Sequence, residues 1–135
     1  MGPEATVDLM QRIIRLTPAL DDADHIRCIV DNNPKVPSRI KAIIEGNGED
    51  PGPCMADMGR RLESWGADFL VIACNTAHYY YDAVQEAVNI PVINLIEWER
   101  RRKSLIAQRN EGDGAPVYRF DIKLQGEDET VFFDI

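Results

Sequence analysis

Apolar positions recur every three or four residues near the start of the chain. Ala5, Leu9, Ile13 and Leu16 share one face, with Asp8, Gln11, Arg12 and Arg15 on the others. This spacing predicts a helix over Pro3–Leu16, and Pro3 suits a first helical position. A linker rich in aspartate follows, and His25–Val30 reads as a strand ended by a loop containing Pro34 and Pro37. Ser38 can cap a short helix through Ile44, with Ile40, Ile43 and Ile44 as its apolar face. Residues 46–53 form a Gly- and Pro-rich loop. The next helix runs from Cys54 to Trp65 and closes at Gly66, the usual place for a left-handed residue. Phe69–Ala73 is an unbroken apolar run, which predicts a strand buried on both faces. Tyr79–Val88 predicts a helix, Pro91 follows its end, and Val92–Ile96 predicts another short buried strand.

Helices alternating with short apolar strands imply βαβ units and a parallel sheet covered by helices, hence an α/β fold. After Ile96 the pattern changes. Glu97–Arg109 predicts a charged helix, Val117–Leu124 alternates at period two, and Thr130–Ile135 can return as its hairpin partner. Two parts are therefore expected: an α/β lobe over 1–97, and a charged helix with an acidic hairpin-like tail over 98–135. No strand is read ahead of the first helix. The lobe is thus expected to lack a first strand and to expose strand edges.

Composition narrows the function. The chain has 135 residues, enough for one core of moderate extent. A net charge of −8 argues against a nucleic-acid partner, since phosphate binding needs a basic surface. No apolar run approaches the roughly 20 residues that span a bilayer, so no membrane partner is expected. Three cysteines without CxxC spacing fit a reducing, cytoplasmic setting, and no metal site is expected.

The chemistry concentrates at Cys74. It ends the predicted strand and precedes a helix, where backbone N–H groups and the helix dipole favour a thiolate. Ligands in open α/β sheets bind at this end of the strands. Three stretches then bear a resemblance. Met1-Gly2-Pro3-Glu4-Ala5-Thr6 resembles the end of the GGMGPxAT loop of the aspartate/glutamate racemase family. Asn33-Pro34-Lys35-Val36-Pro37-Ser38-Arg39 resembles its NPxxPDR loop, with Ser38 where Asp is usual. Gly66–His78 resembles its GADFxxxxCNTAH signature. The likeness covers residues 1–97.

The resemblance implies a three-layer, parallel-sheet lobe and cofactor-independent racemisation of a small acidic amino acid, aspartate above all, without pyridoxal phosphate. One cysteine thiolate removes the Cα proton and a thiol on the opposite face returns one. By this carry-over Cys74 is an acid/base catalyst. Asn75 and Thr76 bind the substrate carboxylate, Arg39 pairs with a carboxylate, and Thr6 lines the first loop. The family's second cysteine lies in a second lobe with a GCTE-like motif, and nothing after Glu97 resembles it. The expectation is a truncated, incomplete or inactive single lobe, and two copies could pool their thiols as a homodimer.

Other readings of the same residues are a non-catalytic carboxylate-binding module and a cysteine hydrolase using Cys74 with His78, one helical turn on. More plainly, His78 can be a partly exposed helix residue. Asn75 and Thr76 can be simple caps, Arg39 a solvated side chain, and Tyr79–Tyr81 packing.

Overall fold

The computed structural model describes residues 2–101, together with the backbone of Arg119–Phe120 and Val131–Phe132. Helix α1 is Pro3–Leu16, with Pro3 in its first turn and Glu4 near its positive end. Asp8 and Arg12 pair across one turn at 2.8 Å. The half-covered positions are Thr6, Leu9, Met10, Ile13 and Thr17, while Ala5 and Leu16 stand exposed. The half-covered stripe is thus rotated slightly from the one read off the apolar residues alone.

Residues 26–30 form no strand. No backbone hydrogen bond joins them to another described segment. A strand exists only through its ladder, so β-branched composition without a paired neighbour does not make one. Ser38 does cap the next turn: its Oγ accepts from Lys41 N at 3.3 Å, and its carbonyl accepts from Ala42 N at 3.0 Å. The turn Lys41–Glu45 is π-helical and ends at Gly46 with φ +67°. Ile40 and Ile44 stand out in solvent, so the expected apolar face does not pack.

Helix α2, Gly52–Ser64, begins two residues earlier than its periodicity suggests. The Asp50 carboxylate accepts from Gly52 N at 2.9 Å and Pro51 is fully buried, which sets the entry. Its end is a Schellman closure: Ala67 N donates to Leu62 O and Gly66 N to Glu63 O, with Gly66 at φ +91°.

Strand β1 (Leu70–Val71) and strand β2 (Val92–Ile93) pair in parallel, Leu70 opposite Val92 and Val71 opposite Ile93. Between them lie a 3₁₀ turn, Thr76–Tyr80, and helix α3, Tyr81–Gln85. This is the predicted βαβ unit, in a mixed α/β arrangement whose parallel sheet has two strands among the described residues. The expected burial of β1 on both faces is corrected. Leu70 and Ile72 are buried but Val71 is 38% exposed, so one face packs and the other is open. The Gln85 side chain fastens the return: it donates to Ile90 O at 3.1 Å and accepts from Val92 N at 2.8 Å. Tyr81 OH donates to Val92 O at 3.0 Å.

The core joins Val36, Met55, Met58, Leu70, Ile72, Ala77, Val84, Val88 and Val92. The expected strand Val92–Ile96 stops at Ile93. Asn94 Oδ1 accepts from Glu97 N at 3.0 Å and caps helix α4, residues 95–101. An N-cap two residues past the strand start outweighs the β-propensity of Leu95 and Ile96. Arg119–Phe120 (β3) and Val131–Phe132 (β4) pair antiparallel. The remainder of the predicted charged helix and tail lies outside the described residues.

Candidate functional site

Cys74 sits where the chain leaves β1. Its N–H donates to the Ile72 carbonyl at 2.8 Å across a tight turn, and its carbonyl faces the His78 ring. The backbone then enters the 3₁₀ turn at Thr76. The thiol is half-buried against the core and 3.4 Å from the Thr76 hydroxyl. Burial pushes this thiol up. The Thr76 hydroxyl, the backbone N–H groups of Ala77 and Thr76, and the Arg39 guanidinium together outweigh that and hold it below its ordinary value. Cys28 shows the opposite behaviour: burial alone pushes it up.

Arg39 is brought to this corner by the loop containing Pro34 and Pro37. Its Nη1 donates to Pro37 O at 3.3 Å, while its Nε is buried with no hydrogen-bond partner among the described residues. A buried, unanswered guanidinium N–H is costly in isolation, and an incoming carboxylate would satisfy it. Asp50 and Tyr80 belong to the same neighbourhood. Burial and the Asp50 carboxylate push the Tyr80 hydroxyl up, and Arg39 pulls it back. Neither was singled out for the site from sequence. Tyr80 lies two residues beyond the signature, and Asp50 reads as a loop residue, so only the folded chain lets Asp50 and Arg39 both act on the Tyr80 hydroxyl.

Asn75 is exposed and makes no cap through its side chain, because its backbone is already helical at φ −61°, ψ −46°. The capping role expected for it is therefore corrected. Thr76 turns its hydroxyl to the thiol. Thr6, half-buried in the first turn of α1, has no hydrogen bond to Cys74, Asn75, Thr76 or Arg39. The structure thus places the Thr76 hydroxyl against the Cys74 thiol, lets the Arg39 charge act on that thiol, leaves Asn75 adjacent in the chain, and does not tie Thr6 to them.

His78 is 7% exposed, which corrects the picture of a partly exposed helix residue. Leu95 N–H can only donate, so Nε2 of His78, at 3.2 Å, is the acceptor. The ring proton is then on Nδ1, which donates to the Cys74 carbonyl at 2.9 Å. Both nitrogens are occupied by backbone, and neither is offered to the thiol. A hydrolytic Cys–His pair therefore has no base in this geometry.

The Asp/Glu/hydantoin racemase family matches residues 1–98. The chain belongs to that family. The broad specificity amino-acid racemase RacX of Bacillus subtilis (strain 168) is 28% identical over 101 residues, covering 72% of this chain and 43% of RacX. A second likeness is of another kind. The protocatechuate 3,4-dioxygenase alpha chain of Pseudomonas putida is 54% identical over 63 residues, 47% of this chain and 31% of the dioxygenase chain. The same subunit from Burkholderia cepacia is 48% identical over 61 residues, 44% of this chain and 30% of that one. This chain therefore spans about a third of the dioxygenase subunits and under half of RacX. The dioxygenase likeness is longer than the stretch beyond residue 98, so it overlaps the racemase match wherever it lies. Sequence reading did not anticipate it. Among the described residues no helix is long and apolar enough to cross a membrane.

Proposed function

We propose that this chain supplies the Cys74 side of a cofactor-independent racemase site for acidic amino acids, aspartate or glutamate. The observation that supports the reading is a Cys74 thiol held below its ordinary value, with the Arg39 charge among the causes, together with an Arg39 Nε that is buried and unanswered among the described residues. The Cα–H of an amino acid is a weak acid, so the site must activate a base and stabilise the charge left on carbon. Cys74 thiolate takes the proton. Arg39 pairs with a substrate carboxylate, and the N–H groups and hydroxyl around Thr76 hold the same end, with Asn75 beside them. Inversion needs a thiol on the other face of the Cα. In this reading a further segment or a second copy provides it. Cys28 instead bonds the Ile26 carbonyl, and Cys54 lies against the Asn33 amide.

The test is proton NMR in D₂O with L- and D-aspartate and L- and D-glutamate. Loss of the Cα–H signal that disappears in Cys74→Ala is the expected result. Exchange without loss of optical activity marks a one-sided site, and exchange with inversion marks a completed one. Binding of these amino acids with no exchange in any of them points to a carboxylate-binding module and sinks the catalytic reading. Exchange should rise with pH as Cys74 deprotonates. The alkylation profile of Cys74 should also reach half-maximum at lower pH than that of Cys28, since the two thiols are shifted in opposite directions.

A further inference from the structure

Cys74 has both backbone polar groups committed. Its N–H is bound to Ile72 O at 2.8 Å, and its carbonyl to His78 Nδ1 at 2.9 Å. The carbonyl is not used by the following 3₁₀ turn, whose first bond runs from His78 N to Asn75 O at 3.1 Å. The His78 ring is the carbonyl's partner, and that ring is buried and held from behind by Leu95 N–H, in the first turn of α4. The two peptide planes flanking the thiol are thereby fixed, one by the turn and one by the imidazole. The second plane carries the Asn75 N–H and leads into the Thr76 and Ala77 N–H groups that act on the sulfur.

We propose that His78 is a positioning residue for Cys74: by bridging the Cys74 carbonyl and the Leu95 N–H, its imidazole orients the peptide that presents the thiol to Thr76 and Ala77. A buried ring satisfied at both nitrogens has one orientation, which a helix-face side chain without these bonds would not have. The charged group acting on the thiol from outside its own turn is Arg39, and the bridge does not touch it. The inference builds on the reading of Cys74 as the reacting thiol, but its test needs no substrate, so it stands or falls apart from racemase activity.

The experiment is alkylation of the full chain with iodoacetamide across a pH series, read peptide by peptide by mass spectrometry. Cys28 and Cys54 in the same sample are the internal reference. His78→Ala removes both bonds. His78→Asn places an amide where Nδ1 lies and keeps the Cys74 bond. His78→Gln places one where Nε2 lies and keeps only the Leu95 bond. The expected result is a Cys74 profile raised by about one pH unit in His78→Ala and His78→Gln, roughly tenfold slower alkylation at neutral pH. In His78→Asn the profile should stay near that of the unaltered chain. Cys28 should not move in any of the three. A Cys74 profile unchanged in His78→Ala, or raised equally in His78→Asn and His78→Gln, overturns the proposal. Should His78→Gln fail to fold, judged by its melting curve, the contrast between His78→Ala and His78→Asn decides alone: rescue by Asn supports the positioning role, and no rescue refutes it.

Discussion

Helices α1 and α2 are nearly equal in length, 14 and 13 residues, and both are amphipathic, yet they end in different situations. Helix α2 buries Gly52, Met55, Ala56, Met58 and Gly59, whereas α1 buries no residue and leaves Val7 and Ile14 each 53% exposed. The difference lies in small residues. A Cβ added at Gly59 would meet Val84 Cγ1 at 3.2 Å, Val88 Cγ1 at 3.3 Å and Leu70 Cδ1 at 3.5 Å. Ala56 is buried one turn earlier, so α2 presses closely onto α3 and β1. Helix α1 carries a comparable apolar stripe but joins no such close approach among the described residues. Periodicity makes a helix and names its inner face, but tight packing also requires a partner of matching shape.

Four substitutions would break or sharpen that contrast, each measured by urea or thermal unfolding. The largest loss belongs to Met55→Ala, at the centre of the packed face, which should cost about 2–5 kcal/mol. A loss no greater than that of an α1 substitution would show that α2 is not the packed helix. Next, Gly59→Ala should cost about 1–3 kcal/mol, because the Val84 and Val88 side chains must both give way to one methyl group. An unchanged midpoint would mean that the close approach to Val84 and Val88 is looser than its distances indicate. Gly66→Ala tests the end of α2. At φ +91° a side chain is strained although nothing lies within 4 Å, so about 1 kcal/mol should be lost. Smallest is Ile14→Ala on α1, which should stay within about 0.5 kcal/mol of the unaltered chain. A loss above about 2 kcal/mol would reveal that this face of α1 is covered in solution, and would erase the contrast with α2.

The site was readable to a similarly uneven degree. Cys74, Thr76 and Arg39 were singled out because each belongs to a short stretch with its own signature, and in the structure the Thr76 hydroxyl and the Arg39 charge both act on the Cys74 thiol. Asp50 and Tyr80 were not, since each looks ordinary beside its chain neighbours and gains its place only when the loop before α2 comes against α3. His78 was visible as a residue one turn from Cys74, but spacing alone offered only a thiol partner or a partly exposed helix residue. What decides otherwise is the Leu95 N–H, 17 positions away, which occupies Nε2 and so turns the proton on Nδ1 toward a carbonyl. The strand expected at His25–Val30 failed for the converse reason. Local β-propensity was present, and among the described residues the ladder was not.

By itself, the sequence determined what can be settled within a turn or two of chain. That covers α1, the cap at Ser38, the glycine closure of α2 at Gly66, the βαβ order around Phe69–Ile93, and the family to which the CNTAH corner belongs. These follow from backbone sterics, capping and side-chain period, all short-range. Tertiary structure alone decided which apolar faces found cover, so that Val71 looks outward while Leu70 and Ile72 look in. It also decided that the Arg39 charge acts on the thiol while its Nε stays unanswered among the described residues, and that His78 holds the peptide rather than the sulfur. Each of these depends on a group remote in sequence, and no local preference carries information about which remote group will arrive.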